Sequence, residues 1–187
     1  MQKLSYINLK FDQFSTLSHS SSGGLAIYVS TKTRKERGIM LLEFACSNHK
    51  SIRSEVVFSA VAGTDTTYED KIKVIDGTRV LKSAVVYGAN GSGKSNFIDA
   101  ISFVKNLVMG SISNPPGQGI RQMPHKLDGF DKDSTYRIQF ITNDVRYVFG
   151  FTLKNMVVVD EYLRFVKICT PLSLFKSFCT SFDNSKW

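Results

Sequence analysis

A chain containing Gly88-Ala-Asn-Gly-Ser-Gly-Lys-Ser95 has little freedom in how it folds around those residues. The eight positions fill the pattern G-x-x-x-x-G-K-[ST], in which each fixed residue type has a physical task. Gly88 lets the chain leave a strand through a turn that a side chain would obstruct. Gly91 and Gly93 let the backbone curl so that successive N–H groups converge on phosphate oxygens. The Lys94 ammonium is suited to the β- and γ-phosphates, and the Ser95 hydroxyl to Mg²⁺. A helix opening near Gly93 turns the positive end of its dipole toward the same anion. With glycine at about 7% of residues, these fixed positions coincide by chance in under ~1% of chains this long. A turn that merely joined a strand to a helix would need neither three glycines nor the Lys-Ser pair. The expected ligand is Mg-ATP. Its expected contacts are Gly88, Ala89, Asn90, Gly91, Ser92, Gly93, Lys94, Ser95 and Asn96, with Lys94 as the catalytic group and Ser95 as the magnesium ligand.

The flanks suit that loop. Ala84-Val-Val-Tyr87 is a short apolar run, as expected of a buried strand entering a tight turn. From Ser95 to about Met109, Phe97, Ile98, Ile101, Val104, Leu107 and Val108 recur at helical spacing, which predicts an amphipathic helix. Upstream, 41–46 and 55–60 read as an antiparallel pair of strands. The polar stretch 62–79 and the Pro- and Gly-bearing stretch 110–129 read as loops. Downstream, 136–140, 145–153 and 156–163 form a β-meander, with turns at Asn143-Asp144 and Lys154-Asn155. Tyr147, Phe149 and Phe151 fall on one face of the middle strand and are core residues.

The ends read differently. Residues 15–24 are rich in Ser and Gly, and Lys32–Arg37 is a charged run. Residues 1–39 are therefore expected to form a flexible leader, with a short strand at 25–30. The net charge of +8 resides mostly at the ends: residues 1–39 carry +4, 164–187 carry +3, and 40–163 carry +1. Charge confined to flanks is weak support for a nucleic-acid face. The three cysteines, Cys46, Cys169 and Cys179, form no C-x-x-C pair and have no His at metal spacing. That pattern, with neither a secretory signal nor an apolar membrane-spanning run, is what a cytoplasmic protein would show.

Asn90-Gly-Ser-Gly-Lys-Ser-Asn96, with Phe97-Ile-Asp-Ala-Ile101 after it, resembles the first nucleotide-binding motif of ABC-type ATPases of the SMC, RecF and OLD group, many of which are described as AAA-family ATPases. Leu42-Glu-Phe-Ala-Cys-Ser-Asn-His-Lys-Ser-Ile52 resembles the strand–turn–strand opening of that group, with His49 where a Phe is usual. The meander resembles its antiparallel β-subdomain. The resemblance covers about 40–163 and implies an α/β P-loop NTPase fold, a partial sheet with an antiparallel β-subdomain. It implies ATP binding, with hydrolysis between two heads, and roles in DNA repair or phage defence. The implied partners are a second head in a head-to-head homodimer or a carboxy-terminal half, and DNA. The group's signature sequence is absent here. Val157-Val-Val-Asp160-Glu161 is the sole candidate for its acidic motif, and reads better as the polar end of a meander strand. Gln118, Gln122 and Gln139 are candidates for the group's Mg²⁺-sensing glutamine, though spacing selects none of them. Lys50 and Arg53 read as a solvated turn, and His125 as a surface histidine. Residues 164–187 resemble nothing in the group, so the chain reads as a leader, the amino-terminal part of an ATPase head (40–163) and a divergent tail. The alternative expectation is a catalytically silent truncated nucleotide-binding module or a gene remnant.

Overall fold

The structure, a computed structural model, describes residues 25–28, 39–75, 77–110 and 119–167, with the backbone alone for 25–28. The expected tail beyond Lys167, most of the leader, and Gln118 lie outside these residues. Among the described residues, nine strands and one α-helix follow in the order β1 (Leu25–Tyr28), β2 (Met40–Ser47), β3 (Val56–Ser59), β4 (Ile72–Ile75), β5 (Thr78–Leu81), β6 (Ser83–Val86), α1 (Lys94–Gly110), β7 (Ser134–Thr142), β8 (Val145–Lys154) and β9 (Val157–Lys167). A single 3-10 turn at Glu69–Lys71 precedes β4.

The main body is a five-stranded antiparallel sheet ordered β3-β2-β7-β8-β9. The predicted opening pair and the predicted meander are therefore one sheet, joined by β2 against β7 with Phe44 opposite Ile138 and Cys46 opposite Tyr136. Both meander turns are two-residue hairpins. Asn143 and Asp144 take φ of 49° and 56°, and Asn155 and Met156 take 49° and 63°. That left-handed pair twists with the strands it joins, and Asn tolerates it well. Met156, less suited to such a φ, has its N–H held by Gln122 Oε1 at 3.0 Å.

Helix α1 lies on one face of this sheet. Its buried residues Phe97, Ala100, Val104 and Val108 share a core with Phe44, Ile138, Phe149, Phe151 and Leu153. The spacing of three and four residues is the one the amphipathic pattern predicted. Phe97 meets Phe44 edge-to-face at 5.6 Å, and Phe103 meets Tyr136 at 5.2 Å. Such pairs add to the free energy of burial, and they fix the helix against β2 and β7.

The stretch 62–79, expected to be a loop, contains the 3-10 turn and most of a hairpin, β4 with β5. Two short runs, Ile72-Lys-Val-Ile75 and Thr78-Arg-Val-Leu81, carry too few apolar residues to stand out against polar neighbours. Their partner is the second face of β2. Met40, Leu42, Ala60, Val80 and Ile141 form a second cluster, in which Val80 is fully buried. Burial on both faces explains why β2 is nearly uniformly apolar.

Strand β6 also departs from expectation. It pairs antiparallel with β1, Leu25 opposite Val86 and Tyr28 opposite Ser83, in a separate two-stranded sheet. Among the described residues every strand pairing is antiparallel, that of β6 included. Val85 is half exposed rather than buried. The boundaries shift too: Ile39 belongs to the core, and β9 runs past the boundary placed at 163 to Lys167.

Candidate functional site

The loop between β6 and α1 is bent at the positions the sequence singled out. Gly91 and Gly93 have φ of +81° and +93°, where a side chain is strained. At Gly88 an added Cβ would lie 2.7 Å from Ser92 Oγ, so the Ser92 hydroxyl would have to turn away. The chain closes a turn with Ser92 N–H donating to Ala89 O at 3.2 Å. Phe97 N–H then donates to Gly93 O at 3.0 Å, making Gly93 the residue that opens α1. The N–H groups of Gly93 to Asn96 are those that a helix cannot satisfy internally. Lys94 reaches back over the loop, its Nζ donating to Gly88 O at 2.6 Å and Ala89 O at 2.8 Å. The ammonium is thereby parked at the loop's own carbonyls. Ser95 is exposed on the first turn of the helix.

A tight turn between β2 and β3 braces that first turn. His49 and Ile52 bond to each other's backbones at 2.9 and 2.8 Å. Asn48 and Lys50 adopt φ of 50° and 51°. Asn96 Nδ2 donates to Ser51 Oγ at 2.6 Å, and Ser51 Oγ would lie 3.2 Å from a Cβ at Gly93. Asp99, one turn after Ser95 on the same helix face, accepts from Lys50 Nζ at 2.7 Å and pairs with His49 Nε2 at 2.9 Å. The other ring nitrogen, His49 Nδ1, meets Tyr136 Oη at 2.8 Å. Thus His49 is a fully buried histidine tying α1 to β7.

Electrostatics fix the state of this group. Burial pushes His49 below its ordinary pKa of 6.5, against the pull of Asp99. A neutral ring then donates Nε2–H to Asp99 and accepts the Tyr136 hydroxyl proton at Nδ1. Burial opposes ionisation of Asp99, but the hydrogen bonds from Lys50 and His49 outweigh it and hold the carboxyl below the usual range. Unfolded chains take up a proton at His49 below pH 6.5 that the folded protein resists. Its contribution is therefore complete above pH 6.5 and is lost as pH falls toward the lower folded pKa. The free energy of unfolding should therefore fall as pH drops below 6.5. His49→Gln should flatten that slope in urea titrations run at successive pH values; an unchanged slope would remove His49 as its source.

The other expected residues are placed as follows. Lys50 is half-buried and ion-paired, not simply solvated, and Arg53 makes a two-pronged bond to Asp128 with both distances 3.0 Å. Gln122 is buried, donating to Ser134 Oγ at 2.9 Å while its carbonyl holds Met156 N–H. Those bonds make it a pin for the β8–β9 turn rather than a magnesium sensor. Gln139 sits mid-strand in β7 opposite Val148. His125 is not a surface residue: its side chain is only 15% exposed, and its backbone N–H donates to Asn48 Oδ1 at 2.8 Å. Asp160 and Glu161 lie within β9, opposite Thr152 and Phe151, with six residues of strand after them. They do not end the strand. Burial raises the Glu161 pKa.

Sequence reasoning missed the part played by Asp99, which reads as an ordinary polar residue on a wet helix face. The available signal was its spacing of four from Ser95, but only the fold brings His49 and Lys50 to it.

Residues 83–173 match the family described as AAA domain, putative AbiEii toxin, Type IV TA system. The match begins at the first residue of β6 and takes in the loop, α1 and the meander. It supports an AAA-type P-loop domain, and with it nucleotide binding, over those residues. No curated protein matches the chain. Among the described residues, no helix is long and apolar enough to cross a membrane.

Proposed function

We propose that the loop Gly88–Ser95 binds the phosphates of Mg-ATP as part of an ATPase head of the SMC, RecF and OLD kind. The observation that carries this reading is the loop's backbone. Two glycines in left-handed conformations, and a third where an added Cβ would crowd the Ser92 hydroxyl, open directly into a helix whose first N–H groups lack internal partners. The fit to a triphosphate is good. Gly91 to Asn96 offer backbone donors, Lys94 a mobile positive charge, and Ser95 a hydroxyl for Mg²⁺. Such ions are held by one or two protein groups with phosphate oxygens and water completing the shell. Bound Mg²⁺ would supply charge neutralisation between the β- and γ-phosphates. Within the chain, Lys94 would exchange its two carbonyl partners for phosphate oxygens.

Turnover is assigned to pairing with a second head or with a carboxy-terminal half, and the cellular setting to cytoplasmic DNA repair or phage defence. A nucleotide-binding module without turnover is the competing reading, favoured by the placement of Asp160 and Glu161 inside an edge strand. Calorimetric titration with ATP and AMP, each with Mg²⁺, tests the phosphate reading. ATP should bind more tightly by about tenfold or more, since AMP lacks the phosphates that Lys94 and Ser95 address. Equal affinity for the two nucleotides would sink it. Phosphate release by the purified chain, abolished by Lys94→Ala, would decide against the silent module.

A further inference from the structure

The two ends of the five-stranded sheet are unlike. At one end β3 is four residues long, too short to offer much of a template. At the other, β9 is eleven residues long, bonded to β8 along one side, and no strand of the described residues covers its other side. It contains no proline. Val157, Val159, Phe165 and Val166 on it are exposed by 58, 54, 37 and 44%. A long apolar edge of this kind recruits another strand unless something blunts it.

The sequence of β9 complements itself. Asp160 and Glu161 precede its midpoint, and Arg164 and Lys167 follow it. Its pairing with β8 shifts register between Thr152 and Leu153, which leaves Val159 as a bulge. In an antiparallel pairing of β9 with a copy of itself centred on Tyr162, Asp160 to Arg164 overlap in unbroken register. That register sets Asp160 opposite Arg164 twice. Directly opposed residues share a face and interact, and opposite charges there are favourable. Asp160, Tyr162 and Arg164 do share a face: their partners on β8 are Thr152, Gly150 and Val148, the face away from the aromatic core. Tyr162 lies against Gly150, where an added Cβ would come within 2.5 Å of its ring, and Arg164 sits 5.1 Å above that ring. The centre of the register is thus set in place within the single chain.

We propose that β9 is a self-association edge, through which two copies of this chain join their sheets into one ten-stranded antiparallel sheet about a two-fold axis at Tyr162. The contact is isologous and closes on itself, so it makes dimers and not fibres. A strand pair of this length buries less than the ~1,200 Å² of a standard interface, so the dimer should be weak, with dissociation on the order of micromolar. It needs no nucleotide, and stands or falls apart from the reading of the phosphate loop.

Sedimentation velocity over a concentration series, on the full chain without nucleotide, tests it. The wild type and Lys94→Ala should show the same monomer–dimer equilibrium. Asp160→Arg alone and Arg164→Asp alone turn two attractive pairs into two repulsive ones, and each should dimerise more weakly by about tenfold or more. Mixed together they restore opposite charges across the axis, and should form a heterodimer that neither forms with itself. Melting temperatures close to wild type would show that both variants fold. A wild type that stays monomeric throughout, a dimer indifferent to both substitutions, or a mixture that fails to associate would each overturn the proposal.

Discussion

Lys94→Ala should lower the affinity for Mg-ATP by about 10- to 100-fold while leaving the fold intact. The ammonium now rests on Gly88 O at 2.6 Å and Ala89 O at 2.8 Å, both on an exposed loop. Those two bonds compete with water, and their loss should cost the free protein little. Against a triphosphate, the same group makes charge-assisted bonds worth about 1.5–3 kcal/mol. At about 1.4 kcal/mol per factor of ten, that sets the stated range. Two measurements are needed together: titration calorimetry with ATP, and a urea unfolding curve. Equal ATP affinity in both proteins would remove Lys94 from the site. Lost affinity with a large fall in unfolding midpoint would mean that the side chain supports the loop instead. The loss should shrink for AMP, which does not reach where Lys94 points.

Phe44→Ala should produce the largest loss of stability of any single truncation in β2, about 3–5 kcal/mol. Phe44 has no exposed surface and lies at the junction of sheet and helix, edge-on to Phe97. Truncation removes both the buried area and the ring contact. The cavity left behind is flanked by Phe97, three residues after Lys94, so nucleotide affinity should weaken as well. For a domain stable by about 5–15 kcal/mol, such a loss consumes much of the margin. Val85→Ala, at a half-exposed position on β6, is the control and should change stability by under about 0.5 kcal/mol. A loss below about 1 kcal/mol at Phe44, read from urea midpoints, would contradict the central place given to this contact.

The parts of this fold that could be read from sequence are those governed by local rules. The loop 88–95 was legible because glycine alone tolerates the dihedral angles found at positions 91 and 93. Helix α1 was legible because Phe97, Val104 and Val108 repeat at the helical period, and β8 because Tyr147, Phe149 and Phe151 alternate. The turns at Asn143 and Asn155 announced themselves by chemistry. What stayed hidden was set by partners distant in the chain. Val80 carries no sign that it will cover the far face of β2, and four-residue β4 and β5 show too little alternation to be noticed. Nothing in the apolar run at 84–86 says whether its neighbour will be parallel or, as found, an antiparallel strand from residues 25–28. Within the site, Asp99 looked like any solvent-facing helical residue until His49 and Lys50 were brought to it across fifty positions.

The pairing of β2 with β7 has a consequence for how the chain is made. Glu43 is bonded to Arg137, 94 residues further on. At about 5–20 residues per second, a ribosome delivers that partner some 5–20 s after β2 has been synthesised. During that interval the apolar side chains of Leu41, Leu42 and Phe44 have only β3 and the small hairpin for company. The phosphate loop emerges midway through the wait, before the sheet that backs its helix can close. Newly made chains should therefore depend on a holding chaperone more than the modest size of this sheet would suggest.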